Sequence, residues 1–174
     1  MVYGIADERA VTLRWNSSLR VKSALPYIYG SLSTCGLMKG SVLVRILVAD
    51  DNPVVRHYLR GLLEQQTTWR VCDEARTGGE ALERVRNNRP DVILLDFQMP
   101  ELNGLDIARQ ISRLFPDIPI LMVTVHFSRQ LAVVARSVGI RGACARLEVA
   151  SIVEGVDALL GQETYFPEIG TICV

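Results

Sequence analysis

The stretch ILVADDNP, residues 46–53, places two adjacent carboxylates at the end of a short apolar run. The run has the length and composition of a buried strand. Directly after the two acids, Asp50 and Asp51, the pair Asn52-Pro53 is typical of the cap and first position of a helix. The stretch therefore predicts a strand followed directly by a helix, with two acids at the junction.

The same alternation of strand and helix continues along the chain. The predicted strands are Val44–Ala49, Val71–Ala75, Val92–Leu95, Ile118–Val123 and Gly142–Ala145. Apolar residues recur at helical spacing after each strand, and Ser151 with Glu154 forms a capping box that predicts the start of the fifth helix. Because the strands are continuous apolar runs, we expect an α/β fold: a doubly wound parallel sheet with helices on both faces.

Composition limits the classes of function. The 174 residues suit one domain plus additional sequence, and 49% hydrophobic residues suffice for a core. No apolar run approaches the roughly 18 residues that a membrane span needs, so no membrane contact is expected. Residues 1–43 contain five basic and two acidic residues, whereas residues 44–174 contain fourteen arginines and seventeen acids. A mildly acidic main domain argues against binding to a nucleic-acid backbone.

The four cysteines argue against a zinc site. Cys35, Cys72, Cys144 and Cys173 are far apart and form no C-x-x-C pair. Isolated cysteines in apolar surroundings are typical of reduced thiols in a cytosolic protein. We therefore expect a cytoplasmic location.

Polar side chains follow several of the predicted strands. Asp50 and Asp51 follow the first, Asp96 the third, Thr124 the fourth and Arg146 the fifth. If the first and third strands are neighbours, three carboxylates meet in one crevice, where two like charges about 4 Å apart repel by about 4 kcal/mol at an effective dielectric of 20. A hard cation such as Mg²⁺ would relieve that repulsion. The alternative is a strand-end acid beside a solvated acid that favours a helix N-terminus.

Four pieces of the sequence resemble the receiver domain of bacterial response regulators. They are ILVADDNPVVR (46–56), DVILLDFQMPELNGLDIAR (91–109), PILMVTVH (119–126) and SVGIRGACAR (137–146). The most specific part is DFQMPELNGL: an acid, two variable residues, Met-Pro, and then Asn-Gly-Leu. The resemblance spans residues 44–161 and implies the flavodoxin-like receiver fold, a five-stranded parallel sheet in the order 2-1-3-4-5.

The resemblance also implies a chemistry. Asp96 would be the phosphoacceptor, attacking a phosphohistidine on a sensor histidine kinase or a histidine phosphotransfer protein. Asp51, Asp96 and the backbone carbonyl of Gln98 would bind Mg²⁺, and Asp50 would bind it directly or through water. Thr124 would hydrogen-bond the phosphoryl group. Such a receiver catalyses its own phosphorylation and dephosphorylation and is otherwise not an enzyme.

Two positions depart from the family pattern. The lysine of the family falls on Arg146, and no lysine follows Lys39 in the chain. The aromatic switch position falls on Ala143, which has no rotamer to change. Two interpretations follow: a phosphorylatable receiver with an altered output, or a receiver-like binding module that acts independently of phosphorylation. The intact set of acids and Thr124 favour the first.

Two other phosphate-handling classes fit the sequence poorly. Haloacid-dehalogenase-like phosphatases need a second acid two residues after the nucleophile, whereas residues 96–98 are Asp-Phe-Gln. Flavodoxins need a phosphate loop rich in glycine and hydroxyl groups after the first strand, where this chain has DDNP. The phosphoryl-transfer switch therefore remains the preferred interpretation.

The two ends of the chain lie outside the resemblance to the receiver. We expect residues 1–43 to be a disordered or mis-started extension. Residues 162–174 resemble the start of the linker that leads to a helix-turn-helix domain in the NarL/FixJ-type subfamily. No basic helical segment follows, so direct DNA binding is not expected, and a stand-alone receiver and a shortened subfamily member both fit. Family members often pair through the fourth helix, fifth strand and fifth helix, which makes a homodimer an expectation here; the downstream partner is not indicated.

Overall fold

Strands and helices alternate throughout the part of the chain that the computed structural model describes, residues 43–100 and 103–167. The elements are β1 Val44–Ala49, α1 Pro53–Leu63, β2 Trp69–Ala75, α2 Gly78–Asn88, β3 Val92–Asp96, α3 Gly104–Leu114, β4 Ile120–Thr124, α4 Arg129–Ser137, β5 Gly142–Ala145 and α5 Val149–Leu160. The strands form one parallel sheet in the order β2-β1-β3-β4-β5. The predicted α/β class and strand order are confirmed.

The apolar strands are explained by burial on both faces of the sheet. Ile46 and Val48 belong to one core layer, which also contains the buried residues of α1 and α5. Leu47 and Ala49 belong to the opposite layer, with the buried residues of α2, α3 and α4. Successive side chains of a strand point to opposite faces, so a strand that is covered on both sides must be apolar at every position.

The bounds of three strands differ from the prediction. β2 begins at Trp69, because Trp69 already pairs with Val44. β4 begins at Ile120, since the N–H of Ile118 is used in a turn to the Phe115 carbonyl (3.1 Å). β3 and β4 extend to Asp96 and Thr124, so both polar residues lie within the sheet rather than after it.

Of the two helix starts that the sequence predicted, that of α1 at Asn52 and Pro53 is confirmed. The side chains that cap the first four helices by accepting a backbone N–H are Asn52, Thr77, Asn103 and Ser128. The predicted capping box at Ser151 and Glu154 is wrong, because Ser151 lies inside α5 and its hydroxyl donates to Glu148 (2.9 Å). The Ile152 N–H already donates to the Glu148 carbonyl (3.2 Å), so the first helical turn forms before Ser151.

Residues 162–167 continue the sheet beyond α5. The Tyr165 N–H donates to the Arg141 carbonyl (3.0 Å), and the Ala143 N–H donates to the Tyr165 carbonyl (2.8 Å). The Tyr165 hydroxyl donates to Glu154 (3.0 Å). A Cβ on Gly155 would lie 3.1 Å from the Tyr165 ring, so a glycine there makes room for it. The linker-like tail therefore pairs with the edge of β5, an arrangement that the sequence did not predict.

Some predictions concern residues that the structure does not describe. The predicted N-terminal extension, apart from Leu43, and the last residues of the tail, 168–174, lie outside the described residues. Among the helices that are described, none has the length and apolar composition needed to cross a membrane.

Candidate functional site

The carboxyl ends of β1 and β3 bring three acids together. Asp50 directly follows β1, and Asp96 is the last residue of the neighbouring strand β3. One carboxylate oxygen from each of Asp50, Asp51 and Asp96 lies within 4.8 Å of the others. At this separation, two negative charges repel by about 3 kcal/mol at an effective dielectric of 20. A cation bound between the three carboxylates would relieve this repulsion.

Burial makes the repulsion costly. The exposed fractions of Asp50 and Asp96 are 2% and 3%, whereas Asp51 is exposed. Burial raises the pKa of Asp50 above its ordinary value, and the charge of Asp96 raises it further, although the Asn52 N–H and Arg146 oppose the shift. Asp50 is therefore a buried strand-end acid, and Asp51 beside it is exposed, as the alternative interpretation also expects.

Arg146 reaches into the crevice from the end of β5. Its Nη2 lies 2.5 Å from Oδ1 of Asp96 and 3.1 Å from Oδ2 of Asp50, and its side chain is 18% exposed. The contact with Asp96 lacks the alignment of a hydrogen bond, since Oδ1 of Asp96 and Nε of Arg146 are both buried without a hydrogen-bond partner among the described residues. Arg146 thus supplies positive charge without the paired hydrogen bonds of a fork-to-carboxylate contact.

The donor set fits Mg²⁺. Carboxylate oxygens are the ligands that this small, hard cation prefers, and Oδ1 of Asp96 is a buried oxygen that contacts Nη2 of Arg146 but accepts no hydrogen bond from the described residues. Asp50, Asp51 and Asp96 could hold the ion from two strand ends. Gln98 lies in the loop after β3 with its side chain exposed, and the role of its carbonyl as a ligand remains a prediction.

Thr124 and Ala143 lie on the neighbouring strands. Thr124 ends β4 with 2% of its surface exposed, and its hydroxyl oxygen accepts the His126 N–H (3.3 Å). The Thr124 carbonyl accepts the Arg146 N–H (2.7 Å), which ties the end of β4 to the start of the loop after β5. Ala143 is fully buried in β5.

Gly104 holds the first turn of α3 against the end of β3. Its N–H donates to the Phe97 carbonyl (3.0 Å). A Cβ at this position would meet the Asp96 carbonyl oxygen and come within 2.9 Å of the Phe97 Cα. The close approach of two backbones is the physical reason for the glycine of the Asn-Gly-Leu sequence.

A further residue at the crevice, Arg56, was missed from the sequence. Its Nη1 donates to the carbonyls of Asp50 (2.8 Å) and Asp51 (3.2 Å), and its Nε donates to Glu74 (3.0 Å). The side chain therefore joins α1 and β2 to the backbone of the acid pair.

A signal for Arg56 was present in the spacing. Arg56 shares the buried face of α1 with Leu59 and Leu63, three and seven residues later. Val54 and Tyr58 also recur at helical spacing in α1, but they are 73% and 48% exposed. An arginine on the buried side of an amphipathic helix indicates a specific partner.

Comparison with known proteins agrees with this geometry. Residues 46–146 match the response regulator receiver domain. The response regulator UvrY of Escherichia coli K12 is 34% identical over 118 residues, which cover 66% of this chain and 54% of that protein. A protein-glutamate methylesterase/protein-glutamine glutaminase of Pyrococcus abyssi is 42% identical over 81 residues, covering 47% of this chain and 22% of that protein. The chain thus spans about half or less of these relatives.

Solved structures give the same result. A two-component response regulator of the LuxR family from Aurantimonas sp. SI85-9A1 superposes with a TM-score of 0.69 at 29% identity, over 71% of this chain and 89% of that one. The response regulator domain of Thermotoga maritima CheB superposes with a TM-score of 0.62 at 25% identity, over 69% of this chain and 95% of that one.

Proposed function

The chain belongs to the response regulator receiver domain family, and on that premise we propose that it accepts a phosphoryl group on Asp96 from a sensor histidine kinase or a histidine phosphotransfer protein. The observation that carries the proposal is the buried carboxylate of Asp96, which lies beside two further acids at the end of the sheet and contacts the guanidinium of Arg146. A carboxylate that is held in place beside a positive charge is suited to nucleophilic attack.

Each residue of the crevice has a role in the proposal. An Asp96 oxygen attacks phosphorus, the bond from phosphorus to the histidine nitrogen breaks, and that nitrogen keeps the electron pair and takes a proton. Asp50, Asp51, Asp96 and the Gln98 carbonyl would hold Mg²⁺, which supplies charge neutralisation for the phosphoryl oxygens. The Thr124 hydroxyl would donate to one of those oxygens.

Arg146 takes the part of the family lysine. Its guanidinium already contacts Asp96 and Asp50, so the positive charge is present at the site of transfer. A guanidinium is wider than an ammonium and holds its donors in a fixed plane. We therefore expect transfer to occur but with a rate that differs from that of a lysine-bearing variant.

Activity, location and assembly of the protein follow from its proposed role as a receiver. We propose that the receiver has no enzymatic activity beyond its own phosphorylation and dephosphorylation, that it is cytoplasmic, and that it forms homodimers through α4, β5 and α5. We propose no direct contact with DNA. Free thiols at Cys72 and Cys144 support a reducing compartment.

The test is intact-mass analysis of the full chain after incubation with Mg²⁺ and acetyl phosphate. A phosphoryl adduct is expected on the native protein and is expected to be absent from Asp96→Asn. Omission of Mg²⁺ should suppress the adduct on the native chain. An adduct of equal yield on Asp96→Asn would assign the acceptor elsewhere and contradict the proposal.

A second candidate function is a binding module that acts without phosphate. It is favoured by Arg146, which contacts two of the three acids, and by Ala143, which cannot act as an aromatic rotamer switch. A native protein that binds Mg²⁺ but forms no adduct would select this function. Arg146→Lys would then show whether this one residue silences the site.

A further inference from the structure

The carbonyls of Asp50 and Asp51 lie beyond the end of β1, where the sheet no longer supplies partners. Within the described residues, the hydrogen bonds that these two carbonyls accept come from Nη1 of Arg56. Buried backbone carbonyls need a partner, and one donor that bridges two successive carbonyls restrains the peptide between them. The direction in which the Asp50 and Asp51 side chains leave the backbone depends on that peptide.

Arg56 is itself held in place. It is 8% exposed, and its Nε is bound by Glu74 of β2 at 3.0 Å. Burial raises the pKa of Glu74, but the hydrogen bonds from Arg60 and Arg56 outweigh burial, so the pKa of Glu74 lies below its ordinary value and the partner stays ionised. The carboxylate and the two carbonyls compensate the cost of burying the guanidinium, and together they fix its orientation.

We infer that Arg56 is a positioning residue, which fixes the backbone of Asp50 and Asp51 and thereby sets the affinity of the crevice for Mg²⁺. The inference rests on the proposed function, because it assumes that these acids hold the ion. Residues outside the ligand set that orient the ligands commonly change metal affinity by about 10- to 100-fold when they are replaced.

The direction of the effect separates positioning from simple electrostatics. Arg56 is a positive charge close to the site, so its removal would strengthen the binding of a divalent cation if charge alone acted. If Arg56 acts by holding the two carbonyls, its removal weakens binding. The two explanations therefore predict shifts of opposite sign.

Arg60 provides a matched control one helical turn away. It binds the same carboxylate, with Nη2 at 2.7 Å and Nε at 2.9 Å from Oε1 of Glu74, and its Nη1 donates to the Val71 carbonyl. Within the described residues, its hydrogen bonds do not reach the carbonyls of Asp50 or Asp51. Arg60→Met therefore removes an arginine and an ion pair with Glu74, as Arg56→Met does, but leaves the acid pair supported.

The experiment is calorimetric titration with Mg²⁺ of the native full chain, Arg56→Met, Arg60→Met and Arg56→Lys, with thermal unfolding measured in the absence of Mg²⁺. We expect Arg56→Met to weaken Mg²⁺ binding about tenfold, Arg60→Met to change it less than twofold, and Arg56→Lys to fall between them. Unchanged or tighter binding by a folded Arg56→Met protein would overturn the inference. Equal weakening by Arg60→Met would overturn it too, since the effect would then come from Glu74.

Two further outcomes are decisive. If Arg56→Met does not fold, Arg56→Lys decides: weakening by threefold or more supports positioning, and unchanged affinity overturns it. A native chain that binds Mg²⁺ but takes no phosphoryl group would contradict the proposed function and leave the inference on Arg56 standing. A native chain that binds no Mg²⁺ would overturn both.

Discussion

The crevice at the ends of β1 and β3 and the outer edge of the sheet at β5 are built in different ways. In the crevice, two strand ends place Asp50, Asp51 and Asp96 together, and each acid lies within two residues of its strand. At the edge, β5 is completed by Tyr165, which follows the whole of α5 before it returns to the sheet. The meeting of the three acids follows from strand order, whereas the edge depends on packing between distant segments.

Arg146 connects the two regions. Its backbone belongs to the edge, directly after β5, but its guanidinium lies in the crevice. A change at the edge that moves β5 would therefore also move the positive charge beside Asp96. We therefore expect mutations at the edge and in the crevice to act separately. A mutation of Arg146 should affect both regions.

The largest effect is expected from Gly104→Ala in the crevice. The new Cβ would collide with the backbone of Asp96 and Phe97, which cannot move aside as a flexible side chain could. We expect the free energy of unfolding to fall by about 3 kcal/mol, and the rate of phosphorylation by acetyl phosphate to fall about 100-fold because Asp96 is displaced. Chemical denaturation and intact-mass time courses measure the two quantities.

Gly61→Ala is the control for that substitution. Gly61 lies in α1 with nothing within 4 Å of an added Cβ, so alanine should stabilise the helix by about 1 kcal/mol and leave phosphorylation unchanged. If Gly104→Ala behaved like Gly61→Ala, the crevice would not depend on the close packing of α3 against β3.

A smaller loss of stability is expected from Arg146→Gln, measured without Mg²⁺. The variant leaves the buried carboxylates of Asp50 and Asp96 without their positive partner. We expect the free energy of unfolding to fall by about 2 kcal/mol. Saturating Mg²⁺ should restore most of the loss, because the ion replaces the missing charge. Denaturation curves with and without Mg²⁺ test this.

Arg109→Gln is the matched surface control. Arg109 and Asp106 form an ion pair whose side chains are 53% and 43% exposed, and such pairs contribute little. Arg109→Gln should therefore be nearly neutral and indifferent to Mg²⁺. A loss at Arg146 that Mg²⁺ did not reverse would mean that packing, rather than charge, joins the edge to the crevice.

The difference between the regions also explains what the sequence could predict. Apolar runs followed by Asp50 and Asp96 are local patterns, and once the strand order is known the acids must meet. The sequence also predicted that Arg146 directly follows β5, as it does in the structure. The pairing of Tyr165 was missed, because nothing near it in sequence indicates that the chain will turn back onto β5.

Arg56 was missed for a related reason. Its position on the buried face of α1 is visible in the spacing, but its partners are Glu74 on β2 and the backbone of the preceding loop. A helical pattern identifies the face on which a residue lies and not the group that it meets. The prediction of a capping box at Ser151 was wrong for a similar reason. The chain enters α5 at Val149, two residues before Ser151.

A moderate effect is expected at the edge from Tyr165→Ala. Loss of the ring between Gly155 and the sheet should lower the free energy of unfolding by about 1.5 kcal/mol. It should also speed hydrogen exchange of the Ala143 N–H, which Tyr165 covers with a hydrogen bond. Tyr165→Phe keeps the ring and loses only the bond to Glu154, so it should show neither change. Unaltered exchange at Ala143 in Tyr165→Ala would show that the tail does not protect β5.

The smallest effect concerns the pH dependence of Glu74→Gln. The pKa of Glu74 lies below its ordinary 4.5 in the folded protein, so its ionised form stabilises the fold at pH values above the unfolded pKa. That contribution is lost as the pH falls through the folded pKa.

We therefore expect native and Glu74→Gln proteins to differ by about 1 kcal/mol at pH 7. The two should converge as the pH falls below the unfolded value of 4.5. Denaturation at a series of pH values measures the difference. A difference that stayed constant with pH would assign the effect to packing. A convergent difference, together with weaker Mg²⁺ binding at pH 7, would show that the crevice too depends on one distant contact, through Glu74 and Arg56, and would narrow the contrast with the β5 edge.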